Sequence, residues 1–257
     1  MTHFNNIIRS PQNFHRLSLT LRRQYSSLEP IYAPSLSAVH RGNAFEERSH
    51  KLLEKTMSMS LKRVGGKEDG GIDLVGWWWL PELSPNASQP CSNSQGRRRI
   101  RVVGQCKAEK KKLGPNYVRE LEGVIYRFLN APPAKAESFF PIDAAPSSLV
   151  ALLVSQSAFT KSTILHAQSS PIPFFLLHLP PTDAILDSEN SPGKLGSALC
   201  NPALFGEQGL LKGHMDVRWE RHHLGDGGRP ALWWKNEKME SHIPDIEPGT
   251  TGDVEAP

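Results

Sequence analysis

Asp73, Gln105 and Lys107 are the residues of this chain whose types and spacing could do chemistry. Asp73 follows the Gly70-Gly71 pair in "EDGGIDLVG", where glycines let the backbone bend and leave room for a ligand. Gln105 and Lys107 flank Cys106 in "VVGQCK". If that run is a strand, its period of two aims Gln105 and Lys107 at one face and Cys106 at the other. A hairpin pairing the two strand ends would then gather a carboxylate, an amide oxygen and an ammonium. Such a trio suits phosphodiester hydrolysis. A carboxylate and neighbouring oxygens can hold Mg2+, which keeps several waters, lowers the pKa of one of them and neutralises phosphate charge. An adjacent lysine can orient or deprotonate that water and stabilise the developing negative charge. Taken singly, each residue has a plainer reading: Asp73 as a turn cap, Lys107 as a solvated strand end of the kind that discourages edge pairing.

The elements that must position these residues can be read from apolar periodicity. "GNAFEERSHKLLEKTMSMSLKRVGG" sets Phe45, Leu52, Leu53, Met57 and Leu61 at roughly helical spacing before Gly65-Gly66, which predicts a helix from Asn43 to Arg63. "GIDLVGWWWL" reads as a strand rich in β formers, "PELSPNASQPCSNSQG" as a loop, and "RRRIRVVGQCK" as the returning strand of a long-looped hairpin. In "PNYVRELEGVIYRFLN" a proline at the helix start precedes Val118, Leu121, Ile125, Phe128 and Leu129 on one face. A loop, a buried strand "SLVALLVSQ", a short helix "AFTKSTILHAQSS" and a further buried strand "PFFLLHL" follow. Helix, strand, strand, helix, strand, helix, strand describes an α/β fold: a three-layer α/β/α sandwich whose mixed central sheet is a hairpin followed by two crossovers.

Composition bounds the function classes. The chain has 257 residues, enough for one main domain, and its 21 prolines and 20 glycines cluster in patches that read as loops or tails. The longest apolar run, Ser148 to Val154, is too short for a membrane-spanning helix. Cys91, Cys106 and Cys200 are far apart, odd in number and without a CxxC pair, which favours a reducing compartment over a disulfide framework or zinc knuckle. From Met1 to Leu28 no acidic residue occurs, while Arg9, Arg16, Arg22 and Arg23 alternate with serines and apolar residues. That composition predicts a mitochondrial presequence over residues 1–25, with "RRQYSS" as a processing site cut near Tyr25–Ser26, and a matrix address. The rest divides into a linker at 26–41, the main domain at 42–180, a loop at 181–198, an extension at 199–240 that could form a hairpin, and a disordered acidic tail at 241–257.

The positive excess behind the net charge of +4 lies in two places, the first thirty residues and the hairpin, where Arg97, Arg98, Arg99, Arg101, Lys110, Lys111 and Lys112 join Lys107 with only Glu109 opposing them. Charge at both ends of a hairpin suits salt-dependent, sequence-independent phosphate contacts, with a solvated face as the plainer alternative. The tryptophans at 77, 78, 79, 219, 233 and 234 could stack on bases, although packing on the sheet accounts for most of them. Asp69 reads as a turn residue. Glu120 and Glu122 read as surface charges, on a helix whose first turns could approach the site. Cys106 reads as a small core residue, and His222 and His223 lack metal-ligand spacing.

"GNAFEERSHKLL", "EDGGIDLVG" and "VVGQCK", in that order, resemble the Mrr-type branch of the PD-(D/E)xK restriction-endonuclease superfamily. The resemblance spans roughly Gly42 to Leu179. It implies a restriction-endonuclease-like fold with Asp73 as principal metal ligand, Gln105 in the usual second acidic position, Lys107 as catalytic lysine and Glu46 as a helix-borne carboxylate facing the metal. Glutamine in place of an acid removes a negative charge, a departure which that branch tolerates. "NPALFGEQGLL", "VRWERHH" and "GGRPALWW" resemble the C-terminal region of the fungal mitochondrial "required for respiratory growth" protein 7 family. Together the resemblances imply a mitochondrial nuclease using Mg2+ or Mn2+ on nucleic acid, with mitochondrial DNA as the foremost substrate. The alternative is a nuclease-fold factor that binds nucleic acid without cutting it.

Overall fold

The computed structural model describes residues 37–64, 71–83, 97–130, 149–181, 195–221 and 228–244. The expected presequence, Asp69, His222 and His223 lie outside them. Helix α1 (Ala38–Met57) starts at Ser37, whose hydroxyl accepts from the His40 N–H, and buries Phe45, Ser49, Leu52, Leu53 and Met57 along one face. It stops at Ser58, which takes the left-handed conformation at φ 56° and returns its N–H to the Leu53 carbonyl. The helix predicted as far as Arg63 therefore ends at Met57, and the remainder is strand β1 (Met59–Arg63). Met, Leu, Lys and Arg are all good helix formers, so local preference gave no warning. What makes Met59–Arg63 a strand is tertiary pairing, Met59 lying opposite Trp78 and Arg63 opposite Leu74.

Strands β2 (Leu74–Pro81) and β3 (Arg97–Lys107) form the expected antiparallel hairpin, in register from Leu74 opposite Gly104 to Pro81 opposite Arg97. At Gly76 a Cβ would collide with the Ser60 carbonyl oxygen of β1, so this position of β2 requires glycine. Helix α2 (Asn116–Leu129) carries the chain from β3 to the parallel strand β4 (Leu149–Ser155), and helix α3 (Lys161–Ser169) carries it on to the parallel strand β5 (Phe174–His178). A four-residue edge strand absent from the sequence expectation, β6 (Ser197–Cys200), closes the sheet antiparallel to β5. The result is a mixed six-stranded sheet in the order β1-β2-β3-β4-β5-β6.

Each face of the sheet has its own core. On one, α1 packs Phe45, Leu52, Leu53 and Met57 against Trp78, Ile100, Val102, Leu152 and Phe175. On the other, α2 and α3 lay Val118, Leu121, Ile125 and Ala167 over Val75, Val103, Leu153 and Phe174. The three α/β/α layers follow from this division. After β6 come a short helix α4 (Pro202–Phe205) and a three-stranded antiparallel sheet of β7 (Met215–Glu220), β8 (Arg229–Trp234) and β9 (Glu237–Lys238). Leu204, Leu211, Met215, Leu232, Trp234 and Met239 merge with the α1-side core. The chain then returns to the end of α1: the Ser241 hydroxyl accepts from Ser58 N–H and donates to the Glu54 carbonyl, while the His242 N–H donates to the Ser58 hydroxyl, each at 3.0 Å.

Asn201 joins the three segments that meet beneath β5. Its buried amide nitrogen donates to the carbonyls of Ala167, Ser170 and Ile172, and its oxygen accepts from the N–H groups of Phe174 and Leu204, at 2.7 to 3.1 Å. Asn201→Ala is expected to cost about 3 kcal/mol or more, because it orphans several buried backbone groups and removes the cap of α4. Asn201→Asp should cost at least as much, since it sets a carboxylate against three carbonyls. Chemical denaturation of the three proteins checks this, and an Asn201→Ala loss below about 1 kcal/mol would refute it.

Candidate active site

The site is built where one strand outruns its neighbour. β3 pairs with β2 only as far as Gly104, whereas its pairing with β4 continues to Lys107. The backbone N–H of Cys106 therefore has no strand beside it to accept its proton. Asp73, immediately before β2, supplies the acceptor: its Oδ2 takes the Cys106 N–H at 2.6 Å. This is a charge-assisted bond, so the capping reading of Asp73 is realised, at a strand end instead of within a turn. The Asp73 N–H also donates to the Gly104 carbonyl at 2.9 Å, which holds the carboxylate beside the strand end.

Gln105 and Lys107 leave β3 on the α2 side, as alternation requires, and meet there a residue read from the sequence as a surface charge. Glu120, in the first turns of α2, accepts from Gln105 Nε2 at 3.4 Å with the same Oε1 that lies 3.9 Å from Lys107 Nζ. Lys107 also stands 5.4 Å from the centre of the Tyr117 ring, one turn earlier on the helix. Gly71 completes the cluster. Its φ is +86°, and a Cβ there would sit 3.2 Å from Gln105 Nε2 and 3.7 Å from Glu120 Oε1, so both backbone and space call for glycine. Gln105 is 1% exposed, and its Oε1 has no hydrogen-bond partner among the described residues. A buried acceptor left so costs about 1–3 kcal/mol and calls for an explanation.

One explanation is a cation. Gln105 Oε1 is a hard, buried, unsatisfied oxygen, and Asp73 stands at the adjoining position of the neighbouring strand. Among the described residues, no three His, Cys, Asp or Glu side chains gather as a ligand set. A divalent ion here would thus be held by a carboxylate, an amide oxygen and waters, an arrangement suited to Mg2+ and unsuited to a soft metal.

Glu46 lies on the α1 side of the sheet. Its carboxylate accepts from Arg63 Nη2 at 2.6 Å, Glu47 also approaches the same guanidinium, and the Glu46 hydrogen bond raises Arg63 above its ordinary pKa. Its neighbour across the layer is the Cys106 thiol. Burial pushes that thiol far above its ordinary range, and the Asp73 carboxylate adds to the shift. The structure thus brings Asp73, Gln105 and Lys107 to one strand end and sets Glu46 on the opposite face from Gln105 and Lys107, already supplied with a counter-charge.

The basic residues divide in the same way. Arg97, Arg99 and Arg101 share the strand face of Gln105 and Lys107, and the Arg99 guanidinium lies 4.4 Å from the Trp77 ring centre. Arg98 points to the other face, 5.9 Å from the Trp234 ring centre, where burial lowers its pKa and Glu82 opposes the shift. Lys110, Lys111 and Lys112 are exposed at the far end of β3, beyond Lys107. Glu122, the other acid of α2, is structural: it meets His166 Nε2 at 3.1 Å and Ser170 Oγ at 2.5 Å, tying α2 to α3.

Residues 37–203 match the family described as Required for respiratory growth protein 7. An uncharacterized mitochondrial protein of Schizosaccharomyces pombe is 30% identical over 166 residues, which cover 63% of this chain and 55% of that protein. The mitochondrial Required for respiratory growth protein 7 of Vanderwaltozyma polyspora is 29% identical over 38% of this chain and 51% of its own length. Its Saccharomyces cerevisiae counterpart is 28% identical over 62% of this chain and 74% of its own length. The matched region therefore spans about half the length of the first two relatives. Among solved structures, the MspJI restriction endonuclease in complex with a 27-mer oligonucleotide aligns with 55% of this chain and 26% of its own, at 15% identity and a TM-score of 0.33.

If Gln105 is kept for a ligand and not for the fold, a side chain of similar shape without polar atoms should fold as well or better. Gln105→Met is expected to leave the melting temperature unchanged or to raise it by a few degrees, the gain of about 1 kcal/mol reflecting removal of an unsatisfied buried oxygen. A marked fall in thermal stability would show that Gln105 is retained for packing.

Proposed function

Since the chain belongs to the Required for respiratory growth protein 7 family, we propose that it is a metal-dependent phosphodiesterase acting on mitochondrial nucleic acid, with DNA as its substrate. The protein is mitochondrial, as its relatives are named, and the family's name ties it to respiratory growth. The matrix is the compartment this reading requires. The observation that carries the proposal is the buried Gln105 Oε1, without a hydrogen-bond partner among the described residues, one residue along β3 from the Cys106 N–H that Asp73 accepts, with Lys107 on the same strand face.

Asp73 and Gln105 would hold Mg2+ or Mn2+, which when bound supplies an acidified water and neutralises charge on the scissile phosphate. Lys107 does the rest of the local work. Its ammonium is partly exposed, and its 3.9 Å approach to Glu120 is too long and too wet to bind it tightly. It can therefore donate from Nζ to the attacking water or to a non-bridging phosphate oxygen, and its positive charge stabilises the pentacovalent state. Glu46 serves as a supporting carboxylate from the α1 side, partly offset by Arg63. Arg99 and Arg101 on the site's own face, with Lys110, Lys111 and Lys112 beyond Lys107, would hold the sugar–phosphate backbone.

A second reading is binding without cleavage. Gln105 is neutral, and Glu46 and Lys107 already face counter-charges, Arg63 and Glu120. Both readings predict salt-dependent affinity, so cleavage decides. Incubated with DNA and with RNA in Mg2+ or Mn2+, the wild type should cut, and Asp73→Ala and Lys107→Ala should each lose about a hundredfold or more of the rate. Equal background cleavage by all three proteins would refute the enzyme, and retained binding would then establish the second reading. Within the basic set, Arg99→Ala should weaken DNA binding and flatten its salt dependence, with only a small fall in melting temperature from the lost contact with Trp77. Arg98→Ala should alter the melting temperature and leave affinity unaltered, since that guanidinium is packed against Trp234. A loss of affinity in both variants would return Arg98 to the binding face.

A further inference from the structure

We propose that Glu120 is a positioning residue that fixes which end of the Gln105 amide faces the cation; the inference rests on the metal-dependent reading of the site. An ionised carboxylate can only accept hydrogen bonds, whereas a glutamine amide has a donating and an accepting end. Opposite Glu120 Oε1 at 3.4 Å, the Gln105 side chain presents Nε2, because the reversed amide would set its buried oxygen against a carboxylate oxygen, acceptor against acceptor. Oε1 is thereby turned away from the helix and left without a partner among the described residues, in a side chain that is 1% exposed. Glu120 pre-sets as a ligand the one buried side-chain oxygen left without a partner among the described residues. The absence of a side chain at Gly71, whose Cβ would lie against both groups, keeps this contact open. The same Glu120 oxygen faces Lys107 Nζ, so one carboxylate sets the orientation of both strand residues proposed to act.

Positioning and direct ligation differ in how they depend on residue 105. A glutamate at 105 has two equivalent oxygens and needs no orienting partner, so the contribution of Glu120 should vanish in that background. The measurement is Mn2+ binding to the full chain without nucleic acid, followed by the electron paramagnetic resonance signal of free Mn2+, with a thermal melt of every variant. Glu120→Gln is expected to weaken Mn2+ binding about tenfold in the wild type, and in the Gln105→Glu background to leave it unchanged or tighten it, the non-additivity expected of groups in contact. Should Gln105→Glu fail to fold, Gln105→Met gives the same comparison, since with no amide to orient Glu120→Gln should again have no effect. Equal weakening in every background would make Glu120 a ligand or a remote charge and overturn the proposal. So would unchanged binding in Glu120→Gln with loss in Asp73→Ala, an outcome that leaves the metal site standing. A wild type that binds no Mn2+ overturns the metal reading and this inference together.

Discussion

The structure depends on the pairing of β3 with two strands of opposite sense and unequal reach. Antiparallel to β2 over Arg97 to Gly104 and parallel to β4 over Arg101 to Lys107, β3 is the seam at which a meander becomes a crossover sheet. Its central residues are bonded on both sides and buried. Its last residues are bonded on one side only, and a backbone donor left there must find another acceptor. Asp73 Oδ2 is that acceptor, so the placement of the site's carboxylate is itself a consequence of strand pairing.

The same seam separates charge. On the α1 side Glu46 and Arg63 meet at 2.6 Å above a thiol that burial keeps protonated. On the α2 side Glu120 meets Gln105 and Lys107 through longer contacts. The first pair is nearer and behaves as a structural tie. The second is looser, which is the arrangement that leaves a lysine able to change partners. Glu122 shows the contrast within one helix: two residues from Glu120, it is locked to His166 and Ser170 and unable to serve the strand end.

Much of this was legible in the sequence because it follows from period. Alternation along "VVGQCK" put Gln105 and Lys107 on one face, and the apolar stripe of α2 announced which face of that helix would be buried. Three features were not legible. β1 is made of helix-forming residues and exists only because Trp78 and its neighbours stand opposite. β6 is four residues long, below the length at which alternation can be told from chance. Glu120 was read as a surface charge on a helix whose first turns could approach the site, but its contact with Gln105 was not legible, since that distance is set by how α2 lies across β3. Arg98, Arg99 and Arg101 show the converse limit: a run of like charge reads as one cluster, while the strand sends alternate members to opposite faces.

The return of the chain to Ser58 bears on how such a protein is assembled. The left-handed turn that ends α1 is completed by the side chain of Ser241 and the backbone of His242, residues that leave the ribosome, or emerge from a translocation pore, long after the helix they seal. The first described element is therefore sealed by the last described segment. In a protein threaded through a membrane with its amino terminus leading, α1 would reach the far side with its end still open, able to be held extended until residues 241–242 arrive and the turn can close.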